Sequence, residues 1–210
     1  MSSAAILASI FAAMLVGAMS PGPSFVVVSR IAISRSRLDG LAAAAGMGVG
    51  GIVFSVLALA GLTALLTQFA WLYLVLKLAG GAYLVYIACR IWRGAKEPLE
   101  VSGTVEGRSS IRRSFSTALL TQLSNPKTII VYASIFAAFL PKSIPFGVIV
   151  GLPIGIFAIE FGWYAIVAVA FSARRPRQVY LSAKRWIDRS AGLVMGGLGL
   201  RLILSGAALR

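Results

Sequence analysis

The chain has 210 residues, of which 59% are apolar and 12% charged, and its mean hydropathy is +0.90. Soluble domains run at roughly 45–50% apolar and about 25% charged, so a water-soluble globule does not fit. Twenty Lys and Arg against six Asp and Glu give a net charge of +14, but these cations sit between long apolar runs and not on the polar scaffold that a nucleic-acid-binding face needs.

A helix needs about 20 apolar residues to cross the hydrocarbon core. Such stretches occur at 4–28, 41–67, 71–89, 115–140, 146–173 and 191–209. They predict an all-α, multi-pass membrane protein of six transmembrane helices; a β-barrel would instead show alternating ten-residue segments. The first stretch ends in Gly17-Ala18-Met19-Ser20, loosely like a signal peptide. No positive charge precedes it and Pro21 follows, so it reads as a retained first helix.

Between these stretches the charges are one-sided. Arg30, Arg35 and Arg37 follow the first; Arg90, Arg93, Lys96, Arg108, Arg112 and Arg113 separate the third from the fourth; Arg174, Arg175, Arg177, Lys184, Arg185 and Arg189 separate the fifth from the sixth. The opposite side holds Lys142 and Arg210. The positive-inside rule then places the three basic segments in the cytoplasm and both termini outside. Anionic lipid headgroups are the natural partners of such charge. Residues 94–112, with Pro98, Gly103 and three glutamates, read as a cytoplasmic linker joining residues 1–93 to 113–210 within a single transporter-like domain.

The two halves match in order. Ser20-Pro21 in the first span corresponds to Asn125-Pro126 in the fourth, Gly46, Gly48 and Gly50 in the second to Gly147, Gly151 and Gly155 in the fifth, and Ala79-Gly80 in the third to Ala191-Gly192 in the sixth. Three spans per half is an odd number, so the second half enters the membrane inverted. A 3+3 inverted repeat with interrupted helices is a recurring plan of secondary transporters, with substrate bound where the repeats meet.

The interruptions come from proline, which removes a backbone donor and clashes with the carbonyl four residues earlier. Ser20 and Asn125 are good N-cap residues placed just before prolines suited to a first helical turn. Each break therefore reads as a helix starting inside the membrane, and such starts favour carboxylates. Ser20, Pro21, Gly22, Pro23, Ser24, Asn125, Pro126 and Lys127 are the candidate substrate-binding residues.

Charges within spans are expensive and mark functional candidates. There are four: Lys77, Lys127, Glu160 and Arg201. Lys77 and Arg201 either contribute charge to a cavity or snorkel to the interface. Lys127 and Glu160 either form a structural ion pair, or Glu160 takes a proton or the substrate amine. The glycine rows on single helical faces suit close helix packing and are compatible with a homodimer. With no histidine and a lone Cys89, an intramolecular disulfide and a His-based metal or acid–base centre are impossible. No nucleophile–base pair stands out, so neither an enzyme nor a cofactor is expected.

At this point the chain resembles a known group. Ser20-Pro21-Gly22-Pro23-Ser24, the run from Gly40-Leu41 to Gly46 and Gly48, Leu76-Lys77-Leu78-Ala79-Gly80-Gly81-Ala82-Tyr83-Leu84, Asn125-Pro126-Lys127, Trp186-Ile187-Asp188-Arg189 and Gly197-Leu198-Gly199-Leu200-Arg201 are similar to the motifs of the LysE/RhtB superfamily of bacterial amino-acid exporters, closer to its RhtB branch. The resemblance spans essentially the whole chain, with the linker least alike. It implies export of an amino acid or close derivative across the bacterial inner membrane, coupled to protons. Many relatives carry His or Asp in the middle of the second helix, where this chain has Phe54; the departure shifts the expected proton handling to Glu160 and the expected substrate toward a neutral amino acid. Export of another small solute or a lipophilic drug, and a non-transporting scaffold role, are the alternatives, and a pack with no central polar cavity would favour the scaffold.

Overall fold

The computed structural model describes residues 2–68, 70–97, 110–141 and 143–207, with side chains for all of these except 62–68, 70–73, 76–77, 174–177 and 206–207. The regular structure among them is entirely helical: α1 (Ser3–Met19), α2 (Pro23–Ser34), α3 (Arg37–Gln68), α4 (Ala70–Gly94), α5 (Ile111–Ser124), α6 (Pro126–Phe139), α7 (Phe146–Phe171) and α8 (Arg174–Ala207). Arg37–Gly61 and Phe146–Phe171 are each long and apolar enough to cross a membrane, and the bent pair α1–α2 passes as a third span. Large apolar side chains cover the outer faces of these helices, including Leu57, Ile154, Ile166, Leu193 and Leu204. In water such a surface would be a liability; against lipid it costs nothing.

The spans carrying Pro21, Pro23 and Pro126 are broken, whereas α7 runs on through Pro153. After Met19 the chain leaves helical geometry at Ser20, and α2 restarts at Pro23 with its axis turned by 59°. Asn125 ends α5 and caps α6, its side-chain oxygen accepting from the Lys127 backbone N–H at 3.0 Å, with Pro126 in the first turn. The two new helices begin differently. Gly22, the N-cap of α2, supplies no side-chain cap, so the first amides of α2 are left for other partners.

The sixth predicted span is longer than expected. Its apolar run, described as far as residue 207, forms only the second half of α8, which starts at Arg174, so the basic segment 174–189 is helix and not loop. A hydropathy reading passes over this segment because its face is mixed. It is nonetheless rich in helix formers such as Leu181, Ala183, Lys184 and Arg185, and the Lys184–Asp188 pair bridges one turn. Of the linker, residues 98–109 lie outside the described residues, Ser110 caps α5 through the Arg113 N–H, and Ile111 and Arg112 already belong to the helix. Lys142 and Arg210 also lie outside the described residues.

Helix α3 packs on α7 and α4 on α8, while α5 lies along α3 and α1 along α7. Glycine makes these approaches possible. A Cβ at Gly46 or Gly50 would strike Phe115 or Gln122 of α5, one at Gly151 or Gly155 would strike Leu7 or Phe11 of α1, and one at Gly192 or Gly196 would press on Ala88 of α4. These ridges are used inside the chain, so they carry no argument for a dimer. Two apolar cores result. One gathers Ile10, Met14, Leu84, Ile135, Leu152 and Met195; the other gathers Phe25, Ile31, Met47, Val167 and Phe171. The helix breaks lie where the two cores meet.

Candidate functional site

The two breaks, far apart in sequence, touch. Lys127, in the first turn of α6, extends its ammonium to the first break and donates to the Ser20 carbonyl at 2.9 Å and the Ser20 hydroxyl at 3.1 Å. Loss of α-helical geometry leaves that carbonyl pointing away from its own helix, and a cation satisfies it. Gly22 provides the room, since a Cβ there would stand 3.3 Å from the Lys127 side chain.

On the other side of the breaks runs a chain of buried polar groups. The Asn125 amide donates to the Ser24 hydroxyl at 3.0 Å, Ser24 donates to the Gln122 side-chain oxygen at 2.8 Å, and the Gln122 amide donates to Glu160 Oε2 at 3.2 Å. Tyr132 closes the series by donating its hydroxyl to Glu160 Oε1 at 2.8 Å. All of these groups are shielded from solvent. Both carboxylate oxygens of Glu160 thus accept from neutral donors. Gly51 of α3 permits the approach, because a Cβ there would lie 3.0 Å from the Tyr132 hydroxyl and 3.3 Å from Glu160 Cγ.

Two hollows meet at the breaks. The inner one, about 30 Å³, is lined by Ser24, Gln122, Tyr132, Glu160 and Tyr164 and has room for little more than a water molecule. The outer one, about 400 Å³, is lined by Pro21, Pro23, Pro126, Arg90, Lys184 and Asp188, and its size falls in the range of small-molecule sites, about 300–1,000 Å³. Ser20, Gly22, Asn125 and Lys127 face both. The outer hollow is a vestibule at the end of the molecule where α4 finishes and α8 starts, beside the basic segments.

The eight residues expected to bind substrate therefore come together. Ser24 lines the inner hollow, the three prolines line the vestibule, and the other four line both. Glu160 joins them, but not as an ion-pair partner of Lys127. An ion pair does form on α8, between Lys184 and Asp188, 2.7 Å apart. Arg201 is exposed, its guanidinium 5.4 Å from the centre of the Phe139 ring, and lines neither hollow. Lys77 lies in α4, and its side chain is outside the described residues. Phe54 packs its ring on Tyr132, with centroids 4.9 Å apart, so this apolar residue touches the group that holds Glu160.

Several site residues were not among the candidates drawn from the sequence, although Asp188 stood in the Trp186-Ile187-Asp188-Arg189 motif. Gln122 sits one turn before Asn125-Pro126, and a polar side chain so close to an intramembrane break was the available clue. Tyr132 and Tyr164 are common packing residues in apolar helices, and nothing local marks them. Asp188 lay in a segment taken for loop. Its carboxyl, which precedes the apolar run of α8, is raised above its ordinary value by burial, against the opposing hydrogen bond and charge of Lys184. Asp39, fully buried, was also missed. It accepts from Ser36, from the Ser110 backbone and from Ser114, joining the starts of α3 and α5.

The family model for LysE type translocators matches residues 15–206. The threonine efflux protein of Salmonella typhimurium is 35% identical over 197 residues, covering 91% of this chain and 94% of the relative. The threonine efflux protein of Escherichia coli K12 is 34% identical over 193 residues, with the same coverage of 91% and 94%. An uncharacterized membrane protein of Haemophilus influenzae is 29% identical over 196 residues, covering 91% and 93%. No solved structure matches the chain.

Proposed function

The chain belongs to the LysE type translocator family, and from that premise we propose that it exports a small neutral amino acid or close derivative across the bacterial inner membrane, coupled to protons. The observation that carries this reading is the meeting of both helix breaks at a hollow shared with one buried carboxylate. Amino-acid efflux by the threonine-exporting relatives supports the substrate class.

The substrate carboxylate docks at the uncapped start of α2 and on Lys127, exchanging with the Ser20 oxygens for the ammonium. Charge-assisted bonds of this type are the strong ones. Glu160 is the proton site. Its partners Tyr132 and Gln122 are neutral donors, so protonation removes an acceptor and loosens the link to Ser24 and Asn125 at the breaks. The charged vestibule lining supports a zwitterion over a lipophilic drug.

The packing supports a 3+3 inverted repeat working by alternating access. The pairs α3–α7 and α4–α8 join equivalent spans, and α5 on α3 echoes α1 on α7. At one end α6 packs on α4 and α1 on α8; at the other, among the described residues, α5 and α2 share little backbone contact with α4 and α8, although Phe25 of α2 stacks on Tyr180 of α8 at 4.9 Å, and on that side the vestibule opens. With the basic segments in the cytoplasm, this arrangement is the inward-facing one, and both termini lie outside.

A screen of amino acids in an exporter-deficient strain tests the reading. The chain should restore growth against at least one neutral amino acid and lower its intracellular level. No change in any intracellular pool would overturn it.

A further inference from the structure

Asp188 in the vestibule holds an acceptor that this scheme leaves unused. The residue is 3% exposed. Its Oδ2 accepts from the Lys184 ammonium at 2.7 Å, and Lys184 also donates to the Gly94 carbonyl at 3.2 Å. Oδ1 is buried and has no hydrogen-bond partner. Buried carboxylate oxygens are rarely left so, because the desolvation cost is uncompensated. The vestibule that Asp188 lines is also lined by Lys127, Gly22 and Pro23, so an anion and a cation face one hollow. Glu160 is the poorer acceptor for an amine in this conformation: both its oxygens are engaged and its hollow is too small for an amino acid.

We propose that the Asp188 carboxylate, turning its unpartnered Oδ1 into the vestibule, receives the α-ammonium of the substrate, while Lys127 and the start of α2 hold its carboxylate. The assignment rests on the exporter reading above and deepens it. The favoured cargo carries both a free amine and a free carboxylate, and a hydroxy acid of the same size is handled more weakly. Glu160 is thereby left to protons.

The test compares L-threonine with the acid in which a hydroxyl replaces its amine, in phosphatidylethanolamine–phosphatidylglycerol vesicles carrying the full chain, with rates normalised to inserted protein. The wild type should prefer threonine by about tenfold or more, the worth of one charge-assisted hydrogen bond. D188N should raise the KM for threonine about tenfold, leave the hydroxy acid unaffected and so erase the preference. K184Q breaks the same ion pair but keeps the carboxylate; it should reproduce any loss of thermal stability without erasing the preference. Should D188N fail to insert, D188E, which keeps the charge and displaces it, should shrink the preference. Equal handling of both compounds by the wild type, or a wild-type preference in D188N or D188E, overturns the assignment while leaving the exporter intact. Wild-type vesicles that move no amino acid at all overturn both.

Discussion

The Lys127 ammonium lies 2.9 Å from the carbonyl oxygen of Ser20, a residue 107 positions earlier in the chain. One interrupted helix is thus finished by a cation from the other, and this structural tie is also the proposed place of substrate exchange. Replacing Lys127 by Met keeps the apolar stem and removes the donors. Efflux should fall by more than tenfold with the protein still inserted, as measured in vesicles of matched protein content; an unchanged rate would remove Lys127 from the site.

Glu160 accepts from Tyr132 and Gln122 and is proposed to carry the proton. E160Q can no longer exchange a proton with the gradient, yet it still fits between its neighbours. Net efflux driven by a pH gradient should be lost, while exchange of labelled for unlabelled amino acid across the same vesicles persists. Gradient-driven efflux by E160Q at the wild-type rate would move coupling elsewhere.

Space at Gly51 is as necessary as the carboxylate. A Cβ there meets Ile156 at 2.8 Å and the Tyr132 hydroxyl at 3.0 Å, whereas a Cβ at Gly61, on the same helix, meets nothing within 4 Å. G51A should therefore cost about 1–3 kcal/mol through overpacking, and G61A should stay within about 1 kcal/mol of wild type. Thermal denaturation in detergent separates them, and equal melting temperatures would contradict the packing described.

Asp39 binds three donors at the basic end, with Arg35 donating to Ser114 at 3.0 Å beside it. D39A strands those donors, at about 1–3 kcal/mol each where they stay buried, while D39N keeps one acceptor and should lose less. The order of melting temperatures, wild type above D39N above D39A, is the readout.

Both breaks were legible in the sequence because Ser20-Pro21-Gly22-Pro23 and Asn125-Pro126 set proline behind a capping residue; Pro153, which follows Leu152, leaves α7 unbroken. The glycine faces were legible for a similar reason: their spacing is helical, and small residues have few other uses on an apolar helix. Pairings across helices were not. Lys127 beside Glu160 in a list of intramembrane charges suggested a salt bridge, but the fold turns Lys127 toward Ser20 and gives Glu160 to Tyr132 and Gln122. Arg201, counted with Lys127 among the charges within spans, lies on an outer face. Depth along a span is readable from one chain; azimuth around it depends on neighbours the chain does not name.

Gly81 and Gly199 bring the backbones of α4 and α8 into direct contact, so that a Cβ at either would lie 2.8 or 2.6 Å from the other's carbonyl oxygen. Lys184 clasps the same two helices again at the end of α4. Two rods welded at a crossing and pinned at a tip behave as one girder. Of the four half-length helices, α6 and in part α1 lie against this girder, while α2 and α5 lie against α3 and α7, so each proline joint stands where the chain passes from one body to the other, and any rocking between the two would be taken up there.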